Sequence, residues 1–209
     1  MNLLVDLQYF PSVILYKKAY QSSNIVFDQY DAHQKMSFRN RLEVAGPEGP
    51  VSLSIPLEKG RGQKMALKDV RIIKGQSWQA RHWKTLLSCY GRSPWFESYV
   101  NDLEALYRRP CGNLLDWNLA CFEWSLKALG RQLDWSLTNE YIRDYDPGKW
   151  IDWRGKWVPK ARKEGILPAG AEPLIEYRQV FEERTAFIPN LSILDLLFCE
   201  GKRAIGFLR

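Results

Sequence analysis

Only two histidines occur in this sequence, His33 and His82, and imidazole is the one side chain that acts as a base near neutral pH without help. His82 falls in a segment, Trp78 to Tyr90, that reads as a helix, and it is the candidate general base. As a lone histidine it is equally open to a packed, structural role. Cys89, seven residues on, shares its helix face, but two turns are about 10 Å of rise, too far for a direct thiolate–imidazole pair. Cys89 therefore reads as a structural thiol. His33 sits in a polar stretch, DAHQK, and has the weaker claim.

A basic group follows: Lys35, Arg39, Asn40 and Arg41. If this segment is a strand, Arg39 and Arg41 project to one face about 7 Å apart, a spacing that suits a phosphate or carboxylate clamp. Asn40 then points the other way, where it needs hydrogen-bond partners or a ligand. The alternative is a solvated strand face. Gln8 and Tyr9 close the first apolar run, and ligands favour the carboxyl ends of strands, so both are candidate contacts. Trp150, Trp153 and Trp157 could form a stacking platform or pack a loop onto the core. No GxxxxGK[ST], strand-linked GxGxxG, GxSxG or HExxH is present, which excludes the corresponding NTPase, dinucleotide, hydrolase and zincin chemistries.

The elements that must position these groups are strand-first and helix-later. Leu3–Val5 reads as a buried strand, Ser12 as the N-cap of a helix through Ala19, and 24–30 as a second strand. Residues 38–44 and 51–57 alternate and flank a Gly/Pro turn, so they predict a hairpin. Glu58 to Lys64 reads as a Gly-rich loop and Val70 to Ile73 as another strand. Helices are expected over 78–90, 95–107, 114–129 and 192–200, the last with Ser192 and Asp195 as a variant capping box and Gly201 as its stop. The segment 143–173 reads as a long loop. This order predicts an α+β fold: a mixed sheet from the N-terminal third packed against a helical C-terminal portion, in a single domain over residues 1–209.

The chain has 209 residues, a net charge of +6, and 45% hydrophobic and 26% charged residues, as expected of a globular protein. The charge favours an anionic partner, although Lys and Arg are interleaved with Asp and Glu. Four cysteines without CxxC spacing, with so few histidines, speak against a zinc site. The opening MNLLVDLQYFPS lacks the pattern of a secretory signal, and no apolar run is long enough to span a membrane. A cytoplasmic protein with reduced thiols is the expectation. The sequence leaves the cofactor, if one is used, unidentified.

Several ordered fragments together resemble the WbqC-like family: LQYFP at 7–11, KMSFRNR at 35–41, SLSIPL at 52–57, WQARHWKTLLSCYGRSPWF at 78–96, DWRGKWVPK at 152–160 and YRQVFEERTAFIPNLSILDLLFCEG at 177–201. The polar positions matching the pattern include Gln8, Tyr9, Lys35, Arg39, Asn40, Arg41, His82, Asp152, Arg154 and Lys160. Leu7, where many relatives carry proline, and Trp153, in place of tyrosine, depart from it. The resemblance implies a bacterial protein of surface-polysaccharide (O-antigen) biosynthesis, with a suggested transfer of an amino acid such as glycine onto a sugar. On this reading His82 is the base, Asn40 or a backbone N–H serves the oxyanion, and Arg39 and Arg41 clamp a nucleotide-linked sugar. Lys35 and Lys160 add positive field, and Gln8, Tyr9, Asp152 and Arg154 contact substrate. A non-catalytic module for a nucleotide sugar or glycan, or a partner such as charged tRNA, are the alternatives.

Overall fold

The computed structural model describes residues 1–58, 65–75, 77–173 and 176–209. Its first strand, β1 (Asn2–Val5), leads through helix α1 (Val13–Tyr20) to β2 (Asn24–Phe27), which lies parallel to β1 with Leu3 opposite Ile25. Both strands are near-continuous apolar runs, as expected of parallel strands covered on both faces. β2 stops at Phe27, short of the expected Tyr30. The cause is the Asp28 side chain, whose Oδ1 accepts from the amides of Tyr30 and Asp31 and turns the chain.

The antiparallel hairpin β3 (Arg41–Gly46) and β4 (Gly49–Ser54) follows, in register with Arg41 opposite Ser54. Pro47 and Glu48 make its turn, and Gly49 takes φ +118°, open to glycine at little steric cost. The hairpin begins three residues later than the alternation at 38–44 suggested, so Arg39 lies outside it. Val70–Ile73 is no strand either; it is held by isolated bridges of Ile72 to Leu57 and Arg71 to Asn113. The expected Gly-rich loop lies, beyond Glu58, outside the described residues.

Three helices form the next layer: α2 (Trp78–Tyr90), α3 (Phe96–Tyr107) and α4 (Leu114–Leu129). Asn113 caps α4 by accepting from the amides of Leu115 and Asp116, and Gly130 ends it in the left-handed region. Phe122 of α4 meets Phe27 edge-on at 5.0 Å and stacks near Tyr16 at 5.8 Å, joining this layer to β2 and α1. Such aromatic pairs contribute about 0.5–1.5 kcal/mol each beyond area burial.

The chain then returns to the first sheet. β5 (Trp135–Leu137) pairs with the outer side of β2, and β6 (Trp150–Asp152) with the free side of β1, giving a four-stranded, all-parallel sheet of order β5-β2-β1-β6. The fold is α+β, with the strands divided between this sheet and the hairpin. The region expected as a long loop thus carries β6 and a short helix α5 (Pro159–Glu164). Trp153 and Trp157 are buried, donating to Ala169 O and Ser12 Oγ, so they build the core instead of a stacking platform.

A short helix α6 (Glu182–Thr185) precedes α7 (Ile193–Glu200), which is buried along its whole length. Ser192 caps α7, but Asp195 does not complete a capping box. It turns inward to accept from Tyr90, Tyr177 and Gln179. One contiguous hydrophobic cluster runs from β1 through the helices to Leu208.

Candidate functional site at the carboxyl edge of the parallel sheet

Because the four strands are parallel, their carboxyl ends meet at one edge. Each ends in a polar residue: Asp6 after β1, Asp28 after β2, Thr138 after β5 and Asp152 in β6. The chain leaves β1 toward β2 and β5 and returns on its opposite side as β6. The edge beside β1 and β6 is therefore a topological switch point, where open α/β sheets bind ligands.

Two guanidiniums organise this edge. Arg154 donates through Nε and both terminal nitrogens to Asp152, Asp28 (2.8 Å), Ile142 O (2.8 Å) and Arg143 O (2.7 Å), which engages all five of its N–H groups. Burial opposes its charge, but the hydrogen bonds with Asp152 and then Asp28 outweigh that and raise its pKa. Burial likewise works against ionised Asp152, yet the hydrogen bonds from Arg154 hold its carboxyl below the usual value. Asp28 also accepts from Thr138 Oγ1 at 3.1 Å.

Arg39 is buried at the same edge. It donates to Ala32 O at 2.5 Å, pairs with Asp31, and lies with Nε 3.6 Å from Asp6 Oδ2. The other oxygen of Asp6 accepts from the Gly155 amide at 2.8 Å. Burial opposes the Arg39 charge, while Asp6 and Asp31 together raise its pKa. His33, half-buried on the same segment, has its pKa lowered to about 4 by burial and, secondarily, by Arg39. Asp6 Oδ2, Arg39 Nε and His33 Nδ1 are buried without a hydrogen-bond partner among the described residues.

A second polar cluster is centred on Tyr9. Its hydroxyl lies 3.1 Å from His82 Nδ1 and 2.5 Å from Tyr107 Oη. The His82 ring stacks on Tyr9 and meets Trp78 edge-on. Burial pushes its pKa down to about 4, against a backbone hydrogen bond at Ser54. Main chain links the two clusters: the Tyr9 amide donates to Phe38 O, and Asn118 Nδ2 donates to both Leu7 O and Arg39 O.

The sequence candidates therefore divide. Arg39, Asp152 and Arg154 gather at the sheet edge, while Tyr9 and His82 meet in the aromatic core. Gln8 is buried, accepting from the Ser12 amide at 3.4 Å. Arg39 and Arg41 do not share a face, because the strand starts only at Arg41, whose Nε donates to Ser54 Oγ on the hairpin. Asn40 donates to Ile55 O, which fixes the base of the hairpin. Lys35 is exposed on the loop after Asp31, and Lys160 is exposed on α5, 3.8 Å from Glu164. Asp6, Asp28 and Asp31 were not among the candidates. A signal for two of them stood in the sequence: LLVD and IVFD are apolar runs closed by aspartate, as is WID at 150–152.

Among the described residues no group of three or more His, Cys, Asp or Glu is placed to hold a metal ion. No described helix is long and apolar enough to cross a membrane. A cavity of about 730 Å3 lies elsewhere, beside Tyr177, Gln179 and Glu200, and none of the sequence candidates lines it.

The family model described as the WbqC-like protein family matches residues 8–153, well over half of the chain. The chain belongs to that family. The matched span opens at Gln8, two residues past Asp6, and closes at Trp153, between Asp152 and Arg154. In this WbqC-like chain the span holds β2, the hairpin, helices α1 to α4, β5 and β6, and with them Asp28, Asp31, His33, Arg39 and Asp152. No curated protein and no solved structure matches the chain.

Proposed function

We propose that this WbqC-like chain is a transferase joining an activated amino acid, such as glycine, to the amino group of a sugar, with the reaction at the carboxyl edge of the parallel sheet. The setting is surface-polysaccharide assembly, as the family resemblance implies. The observation that carries the site is the gathering of Asp6, Asp28, Asp31 and Asp152 with Arg39 and Arg154 at the switch point of the parallel sheet, beside His33, whose Nδ1 is buried without a hydrogen-bond partner among the described residues. Buried titratable groups with shifted pKa values, gathered where strands of a parallel sheet end, mark the edge as the place for a ligand's own polar groups.

The charge at this edge supports an amine. The carboxylates of Asp6, Asp28, Asp31 and Asp152 face the guanidiniums of Arg39 and Arg154 and the ammonium of Lys156, which still leaves an excess of negative charge. The side chains of Asp31 and Asp152 are 23% and 30% exposed and would receive the ammonium. The amine must lose a proton to attack, and His33, whose Nδ1 has no hydrogen-bond partner among the described residues, is the acceptor assigned at this edge. Its nitrogen then attacks the activated carbonyl carbon, the bond to the leaving group breaks, and the new amide nitrogen releases a second proton to solvent. Arg39 here holds Asp6 and Asp31 in place and does not act as a phosphate clamp, and His82 supports Tyr9.

One observation favours a second reading, a nucleotide-sugar or glycan binding module without turnover: burial lowers the pKa of His33 to about 4, which makes it a weak base at pH 7. The test is transfer of radiolabelled glycine, supplied as its adenylate or on tRNA, to a nucleotide-linked amino sugar by the whole chain. Transfer that is lost in His33→Ala and kept per folded molecule in His82→Gln supports the first reading. Saturable binding of the amino sugar without transfer supports the second, and neither binding nor transfer rejects both.

A further inference from the structure

On the helical side, away from the sheet edge, Trp95, Tyr99 and Trp124 line a cleft of about 220 Å3 together with Asp102, Lys127 and Lys202. The three aromatic rings are only half-buried. Tyr99 and Trp124 form one wall, edge to face at 6.0 Å, backed by Phe198 and Phe10. Trp95 forms another, anchored by its amide to Phe198 O at 3.0 Å.

Gly201 joins the Trp95 wall to a cation. It takes φ +56° at the end of α7, and a Cβ there would come within 2.7 Å of Trp95 Cγ, so no larger residue fits under this ring. The same bend places the next residue, Lys202, at the cleft, with its side chain exposed and in no ion pair among the described residues. At the rim Lys127 pairs with Asp102 at 2.8 Å. That pair cancels, and Lys202 leaves the cleft with a net positive charge.

An aromatic lining and the Lys202 ammonium call for a ligand that is planar at one end and anionic at the other. The volume admits one ring system, below the range of about 300–1,000 Å3 of sites for larger ligands. A quaternary or primary ammonium, which aromatic faces also attract, is disfavoured by Lys202 and Lys127. We propose that this cleft binds a mononucleotide, its base held among Trp95, Tyr99 and Trp124 and stacked on one of these rings, and its phosphate received by Lys202. Stacking tolerates any base, since each presents a π face, so selectivity lies in the presence of base and phosphate together.

The test is calorimetric titration of the whole chain with UMP, uridine and ribose 5-phosphate at low salt. UMP is expected to bind at least tenfold more tightly than either fragment. Lys202→Gln should weaken UMP by about tenfold and leave uridine unchanged. Tyr99→Leu, which keeps the wall apolar, should weaken UMP and uridine alike, with thermal unfolding confirming a folded chain. Asp31→Asn, at the sheet edge, should change nothing here, which separates this cleft from the transfer site. Ribose 5-phosphate binding as tightly as UMP, UMP binding insensitive to Lys202→Gln, or no saturable UMP binding would each overturn the proposal.

Discussion

The hydroxyl of Tyr9 lies 3.1 Å from Nδ1 of His82, inside the aromatic core formed with Trp78 and Trp117. An imidazole placed there is neutral in the folded chain down to about pH 4, whereas the unfolded chain protonates it near 6.5. Between these values the unfolded state binds more protons, so the His82 contribution is fully present above pH 6.5 and is lost as pH falls toward 4. It amounts to at most about 3 kcal/mol. His82→Gln should lower stability at pH 7 and flatten the loss between pH 6.5 and 4. Asp195, whose pKa burial raises, acts in the opposite sense above pH 3.8, so the comparison of variant with wild type is the readout. An unchanged slope in urea unfolding across this range would refute the assignment.

Asp195 ties α7 to two other segments, to Tyr90 of α2 at 2.5 Å and to the stretch before α6 through Tyr177 at 2.6 Å and Gln179 at 2.8 Å. Its removal leaves buried donors unmatched, so Asp195→Ala should destabilise by about 3 kcal/mol or more. Tyr90→Phe should cost more than Tyr177→Phe, because the Tyr90 hydroxyl also accepts from the buried amide of Ala45 at 2.8 Å. Urea midpoints of the three variants check the ranking.

At the sheet edge, Arg39→Ala should act on the fold before it acts on any substrate. It strands Asp6, which is 1% exposed, without its counter-charge, a change that costs about 3–5 kcal/mol. Arg39→Lys should recover only part of this, since an ammonium cannot bridge Ala32 O, Asp31 and Asp6 at once. Thermal unfolding of both variants measures the difference.

The thiols should divide into two classes. Cys121 and Cys199 are buried, whereas Cys89 and Cys111 are half-buried, and burial raises the pKa of all four. Brief iodoacetamide treatment of the native chain should label Cys89 and Cys111 slowly and the other two only after unfolding. Peptide mass spectrometry resolves the sites, and fast native labelling of Cys121 would contradict the packing.

The helices were legible because their signals are local. Gly91 follows the end of α2 and Gly130 that of α4, although Ser77, ahead of α2, makes no side-chain cap. What escaped depends on distant partners. β5 is three residues long and becomes a strand only by pairing with β2. Asp195 looked like half of a capping box, yet it turns inward because Tyr90, Tyr177 and Gln179 arrive there with donors. Arg39 looked like a clamp beside Arg41, and only the late start of β3 separates them. The edge residues Asp6 and Asp28 follow apolar runs that were read as strands. Their meeting with Arg39 and Arg154 depends on the order β5-β2-β1-β6, which local pattern does not contain.

That strand order also sets a timetable for biosynthesis. β1 sits inside the sheet, yet one of its neighbours, β6, is encoded about 150 residues later. A ribosome adding roughly 5–20 residues per second leaves roughly 7–30 s between the emergence of the two strands. Through that interval Asn2, Leu3 and Leu4 present a strand edge that β6 has yet to cover, a ready template for pairing with another nascent chain. Sequence separation of this kind also slows folding, because loop closure must precede the contacts that reward it. Yield of folded protein should therefore respond to translation speed and chaperone supply more than its equilibrium stability would suggest.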